Sequence, residues 1–252
     1  MIKREELISY LDELLNTGKY NDYAPNGLQV EGSSHIKRIA TAVTASEEVI
    51  LEAVKWQADA LLVHHGYFWR GEAPVITGMK KQRIKHLLLN EINLLAYHLP
   101  LDCHLELGNN ACLAKFFPLQ SISAHKVGNI DNLLWAGVLD KPVEADSLTE
   151  LIARKLNRTP LHVSAIKQPI RSIAWCSGGA QDYIEEAYKL GVDAYLSGEV
   201  SERTYYQAKE LGIDYYACGH HATERFGIQT LGQHLANHYQ LEHLYIDSDN
   251  SI

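Results

Sequence analysis

The feature that most restricts this fold is a β-α-β pattern that occurs twice. Arg38 to Val43 reads as a strand, Ser46 to Trp56 as an amphipathic helix and Ala60 to Val63 as a second, buried strand. Arg171 to Cys176, Gln181 to Leu190 and Ala194 to Ser197 repeat that order, with Ser177-Gly178-Gly179 at the strand-to-helix turn. A shift of 134 positions aligns residues 38–65 with 172–199 without a gap and leaves 9 of 28 positions identical, among them Ile39 with Ile173, Asp59 with Asp193 and Ala60 with Ala194. Parallel strands joined through a helix need a sheet covered by helices. The expectation is an α/β protein of two pseudo-repeated lobes, each a mixed sheet flanked by helices. Residues 1–125 with 220–252 would form the first lobe and 126–219 the second. Phe117-Pro118 to Pro142 would cross between them, ahead of a Ser147 to Leu156 helix opened by the capping-box spacing of Ser147 and Glu150. A further helix, begun by Ala222 or Thr223, would run toward Asn237.

Three apolar runs end on histidine: Ala60-Leu-Leu-Val-His64-His65, Leu94-Leu-Ala-Tyr-His98-Leu-Pro-Leu-Asp102 and Tyr215-Tyr-Ala-Cys-Gly-His220-His221-Ala-Thr-Glu224. Imidazole and carboxylate are the ligands that divalent transition metals select in water, and strand ends are rigid places from which to aim them. His98 with Asp102 and His220 with Glu224 share a spacing of four residues, which on a helical turn places both side chains on one face. Successive residues of an extended strand point to opposite faces, so His64 and His65 serve one ion only if the strand ends there. The reading favours two ions, and a metal site in the cleft between the lobes. The His98 pair maps onto the His220 pair at a shift of 122, and His64 and His65 fall on Gly198 and Glu199. His86, His125, His162, His234, His238 and His243 have no comparable context and read as structural or exposed.

Composition removes several classes. With 252 residues, 46% apolar, and a formal charge of −8, the chain has ample core material and no general attraction to nucleic acid or anionic membrane. Met79-Lys-Lys-Gln-Arg-Ile-Lys-His86 is the one dense basic run and reads as a solvated helix face. Cys103, Cys112, Cys176 and Cys218 form no C-x-x-C pair, which argues against a zinc ribbon or disulfide framework and fits a reduced, cytoplasmic setting. The first residues lack an apolar signal core, and no stretch nears the roughly 20 apolar residues that span a bilayer. Asp22-Tyr-Ala-Pro-Asn26-Gly27 reads as a structural turn entering a strand, with a substrate-binding loop as the alternative. Ser177-Gly-Gly-Ala180 is either a tight turn or a phosphate-binding helix start.

Tyr-Ala-Pro-Asn-Gly-Leu-Gln-Val at 23–30, Val-His-His-Gly at 63–66, His-Leu-Pro-Leu-Asp at 98–102 and Gly-His-His-Ala-Thr-Glu at 219–224 resemble the motifs of the NIF-three-like proteins, also labelled GTP cyclohydrolase I type 2 homologues, in their short bacterial form. The resemblance implies a dinuclear metal centre in an α/β protein assembled as a toroidal homohexamer. It implies His64, His65, Asp102, His220 and Glu224 as ligands, with His98 either a sixth ligand or a catalytic base. Many members carry Pro after the paired histidines, where this chain has Gly66-Tyr-Phe-Trp69, so its local aromatic wall differs.

Two divalent transition-metal ions, zinc, manganese, iron or cobalt, held by such ligands fit a metal-dependent hydrolase. The family label points to a nucleotide or phosphoester substrate. The alternative is a non-catalytic metal-binding ring that serves as an interaction scaffold, with nucleic acid as one partner class.

Overall fold

The computed structural model describes residues 1–165 and 168–252. The chain divides into two compact units, Met1–Leu101 with Gly227–Asp249, and Asp102–Phe226 with Asn250–Ile252. Residues 102–125 and 220–226 therefore belong to the second unit, not to the first as the sequence boundaries had it. The reason is local packing: the helix Asn109–Ala114 buries Ala111, Leu113 and Ala114 in the core that contains Trp175, whose indole donates to Asn110 O at 3.0 Å.

The first unit is a five-stranded sheet in the order Glu242–Tyr245, Arg38–Thr44, Ala60–His65, Asn93–Ala96, Gly27–Val30. The first four strands are parallel and the last is antiparallel. A strand buried on both faces needs apolar residues nearly throughout, which is why the inner strands Arg38–Thr44, Ala60–His65 and Asn93–Ala96 read as largely apolar runs. Ser46 starts the helix Glu47–Lys55 by accepting from the Val49 N–H at 3.2 Å, and Glu47, Glu48 and Lys55 complement its dipole. That helix presses Val49, Ile50 and Ala53 onto Leu61 and Leu94, each large buried aliphatic contributing about 1.5–3 kcal/mol. The basic run lies in the helix Gly78–Leu89, which buries Ile84 and Leu87 and turns Lys81 and Lys85 to solvent, while Lys80 is held against Glu72 at 3.2 Å.

The second unit is a six-stranded sheet in the order Leu119–Val127, Ile130–Val143, Ile170–Cys176, Ala194–Ser197, Asp214–Ala217, Leu161–Val163. The span from Phe117 to Pro142, expected as a crossing, is an antiparallel hairpin at the edge of this sheet. Its outer strand is mostly exposed and so lacks the apolar run that marks a buried strand. The next helix begins at Ala145 with Glu144 as N-cap and no side-chain cap bond, which leaves Ser147 inside the first turn and the expected capping box unformed. The predicted Gln181 to Leu190 helix is a 3-10 turn, Gln181–Tyr183, followed by the short helix Ile184–Lys189.

The internal repeat is present in the hydrogen bonding. Arg38–Thr44, Ala60–His65, Asn93–Ala96 and Gly27–Val30 have the same order and directions as Ile170–Cys176, Ala194–Ser197, Asp214–Ala217 and Leu161–Val163. Ile39 pairs with Ala60, and Ile173 with Ala194. Asp59 Oδ2 accepts from the Lys37 and Arg38 N–H groups at 2.7 and 2.8 Å, and Asp193 Oδ2 from those of Arg171 and Ser172 at 2.8 and 2.9 Å. The third strands pair as Ala60 with Asn93 and Ala194 with Asp214, a shift of 121 (214 minus 93), not 122. His98 is thus equivalent to Gly219, and His220 stands one residue further on.

Near the sheet edge His243 Nε2 lies 2.8 Å from Thr41 Oγ1. Burial lowers its pKa below the ordinary histidine value, whereas the unfolded chain takes up the proton at about pH 6.5. Stability from the neutral ring is present above that pH and is lost as pH falls through the folded value. His243→Gln is expected to lose less stability than wild type between about pH 7.5 and 5.5 in urea titrations; equal losses would remove His243 from the acid response. Among the described residues, no helix is long and apolar enough to cross a membrane.

Candidate metal centre

In the first unit three histidines converge. The strand Ala60–His65 ends at His65, which pairs with Thr44, so it stops at its two histidines as a shared ion requires, although successive side chains of a strand point to opposite faces. Their rings are nonetheless 4.5 Å apart, and His98 lies 5.1 and 5.7 Å from them. One nitrogen from each of His64, His65 and His98 falls within 4.8 Å of the others, a set that can hold a metal ion.

Each ring is anchored through Nδ1. His64, fully buried, has Nδ1 3.0 Å from the Tyr97 carbonyl. A carbonyl only accepts, so Nδ1 carries the proton and Nε2 is the Lewis-basic nitrogen. His65 Nδ1 lies 3.1 Å from Thr44 Oγ1, and His98 Nδ1 donates to Asp22 Oδ1 at 2.7 Å. Burial raises the Asp22 pKa, but hydrogen bonds from His98, Asn26 and the Tyr23 N–H outweigh it and hold the carboxyl below its usual range. Asp22 Oδ2 also accepts from the Leu99 N–H at 2.9 Å, and Asn26 Oδ1 from the His98 N–H at 2.8 Å. The Asp22–Asn26 turn is therefore the support of His98. Its sequence signal was two short polar side chains four residues apart before Gly27.

In the second unit the carboxylates Asp102, Glu199 and Glu224 surround one imidazole and one turn. Gly219, at φ 97°, turns the chain so that His220 opens the helix His220–Tyr239, earlier than the expected Ala222 or Thr223 start. The four-residue spacing then places His220 Nε2 3.1 Å from Glu224 Oε2, while His220 Nδ1 lies 2.7 Å from Glu199 Oε1. Burial alone would lower the His220 pKa, yet the two carboxylates push it up to about 9. Asp102, 6% exposed, accepts from Asn109 Nδ2 at 2.8 Å and from Ser177 Oγ at 3.1 Å. The Ser177 N–H donates to Asn110 Oδ1 at 2.9 Å, so Ser177-Gly-Gly-Ala180 is a tight supporting turn, with only a 3-10 turn and a six-residue helix after it. Local sequence pattern gives Asn109 and Asn110 no role and gives Glu199 only its repeat equivalence with His65.

His64, His65 and His98 thus belong to the first unit and Asp102, His220 and Glu224 to the second, whereas the sequence boundaries assigned most ligands to the first. The histidines expected to be structural have ordinary partners where contacts are described: His162 pairs with buried Asp214 at 3.0 Å, and His234 Nε2 meets the Tyr10 hydroxyl at 2.6 Å. All four cysteines are buried, and burial pushes the Cys218 thiol up to about 12, which disfavours a thiolate ligand.

A sequence model of the Duf34/NIF3 (NGG1p interacting factor 3) family matches residues 2–251. The chain is 50% identical over 250 residues to a GTP cyclohydrolase 1 type 2 homolog of Yersinia pestis, with 99% of both chains covered. Among solved structures, the protein ybgI superposes with a TM-score of 0.95 at 46% identity, covering 100% of both chains. TTHA1606 from Thermus thermophilus superposes with a TM-score of 0.89 at 30% identity, again over 100% of both.

Proposed function

The chain belongs to the Duf34/NIF3 family, and from that premise we propose that it is a dinuclear metal-dependent hydrolase acting on a nucleotide or phosphoester. The observation that carries the proposal is the pair His64 and His65, each anchored at Nδ1, with one nitrogen of each within 4.8 Å of the other and of a nitrogen of His98, the proposed proton carrier beside them. The proposed ligands are His64, His65, Asp102, His220 and Glu224. Their chemistry fits zinc, manganese, iron or cobalt: imidazoles held by hydrogen bonds, His64 in one fixed tautomer, and carboxylates held by neighbouring donors. Bound ions would supply Lewis acidity toward a substrate oxygen and a means of activating water.

The residues themselves have separable tasks. The Tyr97 carbonyl and Thr44 hydroxyl orient His64 and His65, and Asn109 and Ser177 orient Asp102. His98, whose Nδ1 donates to the Asp22 carboxylate, would hold or move a proton at Nε2, as the Asp–His pairs of general acid–base catalysis do. A homohexameric ring, which the family resemblance implies, is part of the same proposal and is tested by the mass of the assembly in solution.

The test is elemental analysis of natively purified protein, beside His64→Ala and His98→Ala, with a hydrolysis screen over nucleotides and phosphoesters. About two ions per chain are expected in wild type, with metal and turnover both lost in His64→Ala. His98→Ala is expected to keep its metal and lose turnover; loss of metal there would make His98 a ligand. Two ions without turnover on any substrate would favour the scaffold reading, and no metal after reconstitution would end the proposal.

A further inference from the structure

We propose that Trp69 and Tyr23 form a stacking wall for a planar heterocyclic ring, so that the ligand of this site is a ring-bearing nucleotide and not a bare phosphoester. The metal-centre reading supplies the place of the chemistry; the ligand class comes from the geometry of two loops in the first unit. Trp69 meets the His98 ring nearly edge-on, at 85° and 5.1 Å between centroids, and lies 5.9 Å from His65. Tyr23 meets His98 at 68° and 6.2 Å. The two aromatics thus border the histidine cluster, and Tyr23 is 52% exposed.

Aromatic rings of this size usually serve a core; here they are held at the surface by hydrogen bonds. The Arg70 N–H donates to Tyr23 O at 2.7 Å, and its guanidinium donates to Asn21 Oδ1 and Asp22 O at 3.0 and 2.9 Å. Gln29 Oε1 accepts from the Tyr67 N–H at 2.7 Å, while its amide donates to Pro25 O and Tyr67 O. The Trp69 indole donates to Gly66 O at 3.2 Å. Gly66 makes this staple possible, because a Cβ there would collide with Gln29 Oε1 and stand 2.7 Å from Ala96 Cβ. The loops that carry Tyr23 and Trp69 are tied together, and the Tyr23 loop also contributes Asp22, the anchor of His98.

Between Gly66 and Trp69 the backbone is strained. Phe68 has φ of 64°, a left-handed conformation that is an outlier for a bulky aromatic residue. Such strain persists where the surroundings over-determine it, and it concentrates at ligand sites. Apolar walls beside a few fixed polar groups are the composition of a small-molecule site. Stacking on an aromatic face discriminates for a planar ring and tolerates its identity. An aliphatic phosphoester has no ring to present to such a wall.

The test is calorimetric titration of the purified full chain with guanosine monophosphate, uridine monophosphate and ribose 5-phosphate, for wild type, Trp69→Leu and Trp69→Phe. Both nucleotides are expected to bind wild type about tenfold or more tightly than the ringless sugar phosphate. Trp69→Leu is expected to remove that preference without changing ribose 5-phosphate affinity, and Trp69→Phe to keep most of it. Thermal midpoints check that the variants are folded, and Trp69→Phe keeps the test valid if Trp69→Leu is not. Equal wild-type affinities for the three ligands, no nucleotide binding, or an unchanged preference in Trp69→Leu would overturn the wall. Metal content of the same samples separates the two readings. A Trp69-dependent ring preference in protein that holds no metal would keep the wall and refute the metal centre. Two ions per chain with no ring preference would do the reverse.

Discussion

Gly178→Ala is expected to strip metal from the protein as well as weaken its fold. Gly178 has φ of 68°, and a Cβ there would collide with Glu224 Oε1 while lying 3.1 Å from Glu224 Cδ and 3.2 Å from His220 Nε2. The turn cannot retreat. Its N–H donates to Thr223 Oγ1 at 3.0 Å, and its carbonyl accepts from the Ala180 and Gly198 N–H groups, each at 2.9 Å. The collision is therefore relieved by displacing Glu224, which is 2% exposed and has little room to rotate. The backbone conformation adds a cost of about 1–2 kcal/mol for a residue with a Cβ. Gly191→Ala is the control: it has φ of 72° and nothing within 4 Å of the added Cβ. It shares the conformational cost without the collision, so it is expected to lower the urea midpoint and keep its metal. Equal metal content in the two variants would show that Gly178 does not shape the site.

Metal uptake is expected to strengthen steeply with pH, by up to about tenfold per unit between roughly pH 6.5 and 9, and then to level off. In the metal-free protein burial lowers the His220 pKa, but the carboxylates of Glu224 and Glu199 dominate and raise it to about 9. A metal ion must displace that proton, so uptake is weakest where His220 is charged. Glu199→Gln removes one of the two opposing charges and is expected to move the rise to lower pH, which competition titrations with a chelator at several pH values would measure. An identical profile in wild type and variant would exclude Glu199 from control of the site. The stability linkage of the metal-free protein has the opposite sign. A raised histidine pKa stabilises the fold fully below the unfolded value near pH 6.5, and the contribution fades as pH rises through about 9.

Legibility followed burial. The strands Arg38–Thr44, Ala60–His65 and Asn93–Ala96, and the helix between the first two, were readable because buried parallel strands are apolar runs and Ser46 marks a helix start. The hairpin from Leu119 to Val143 was not, because its exposed outer strand carries Gln120, Ser121, Ser123, His125 and Lys126 among its apolar residues. The four-residue spacing of His220 and Glu224 was informative because one helix carries both. The supports did not show themselves. Asp22 reaches His98 over 76 positions, and Ser177 reaches Asp102 over 75. No local pattern encodes a partner that distant.

The sequence by itself determined the α/β class, the internal repeat, the family and the identity of the histidines and carboxylates at the strand ends. Those properties follow from hydrophobic period and residue chemistry, which are local. Tertiary structure alone decided where the compact units divide, which nitrogen of each imidazole is anchored, and that Asp22, Glu199, Asn109 and Ser177 hold the candidate ligands. It also decided that Gly178 must lack a side chain. These depend on groups brought within hydrogen-bond distance by the sheets, and a hydrogen bond acts over about 3 Å in space whatever its separation along the chain.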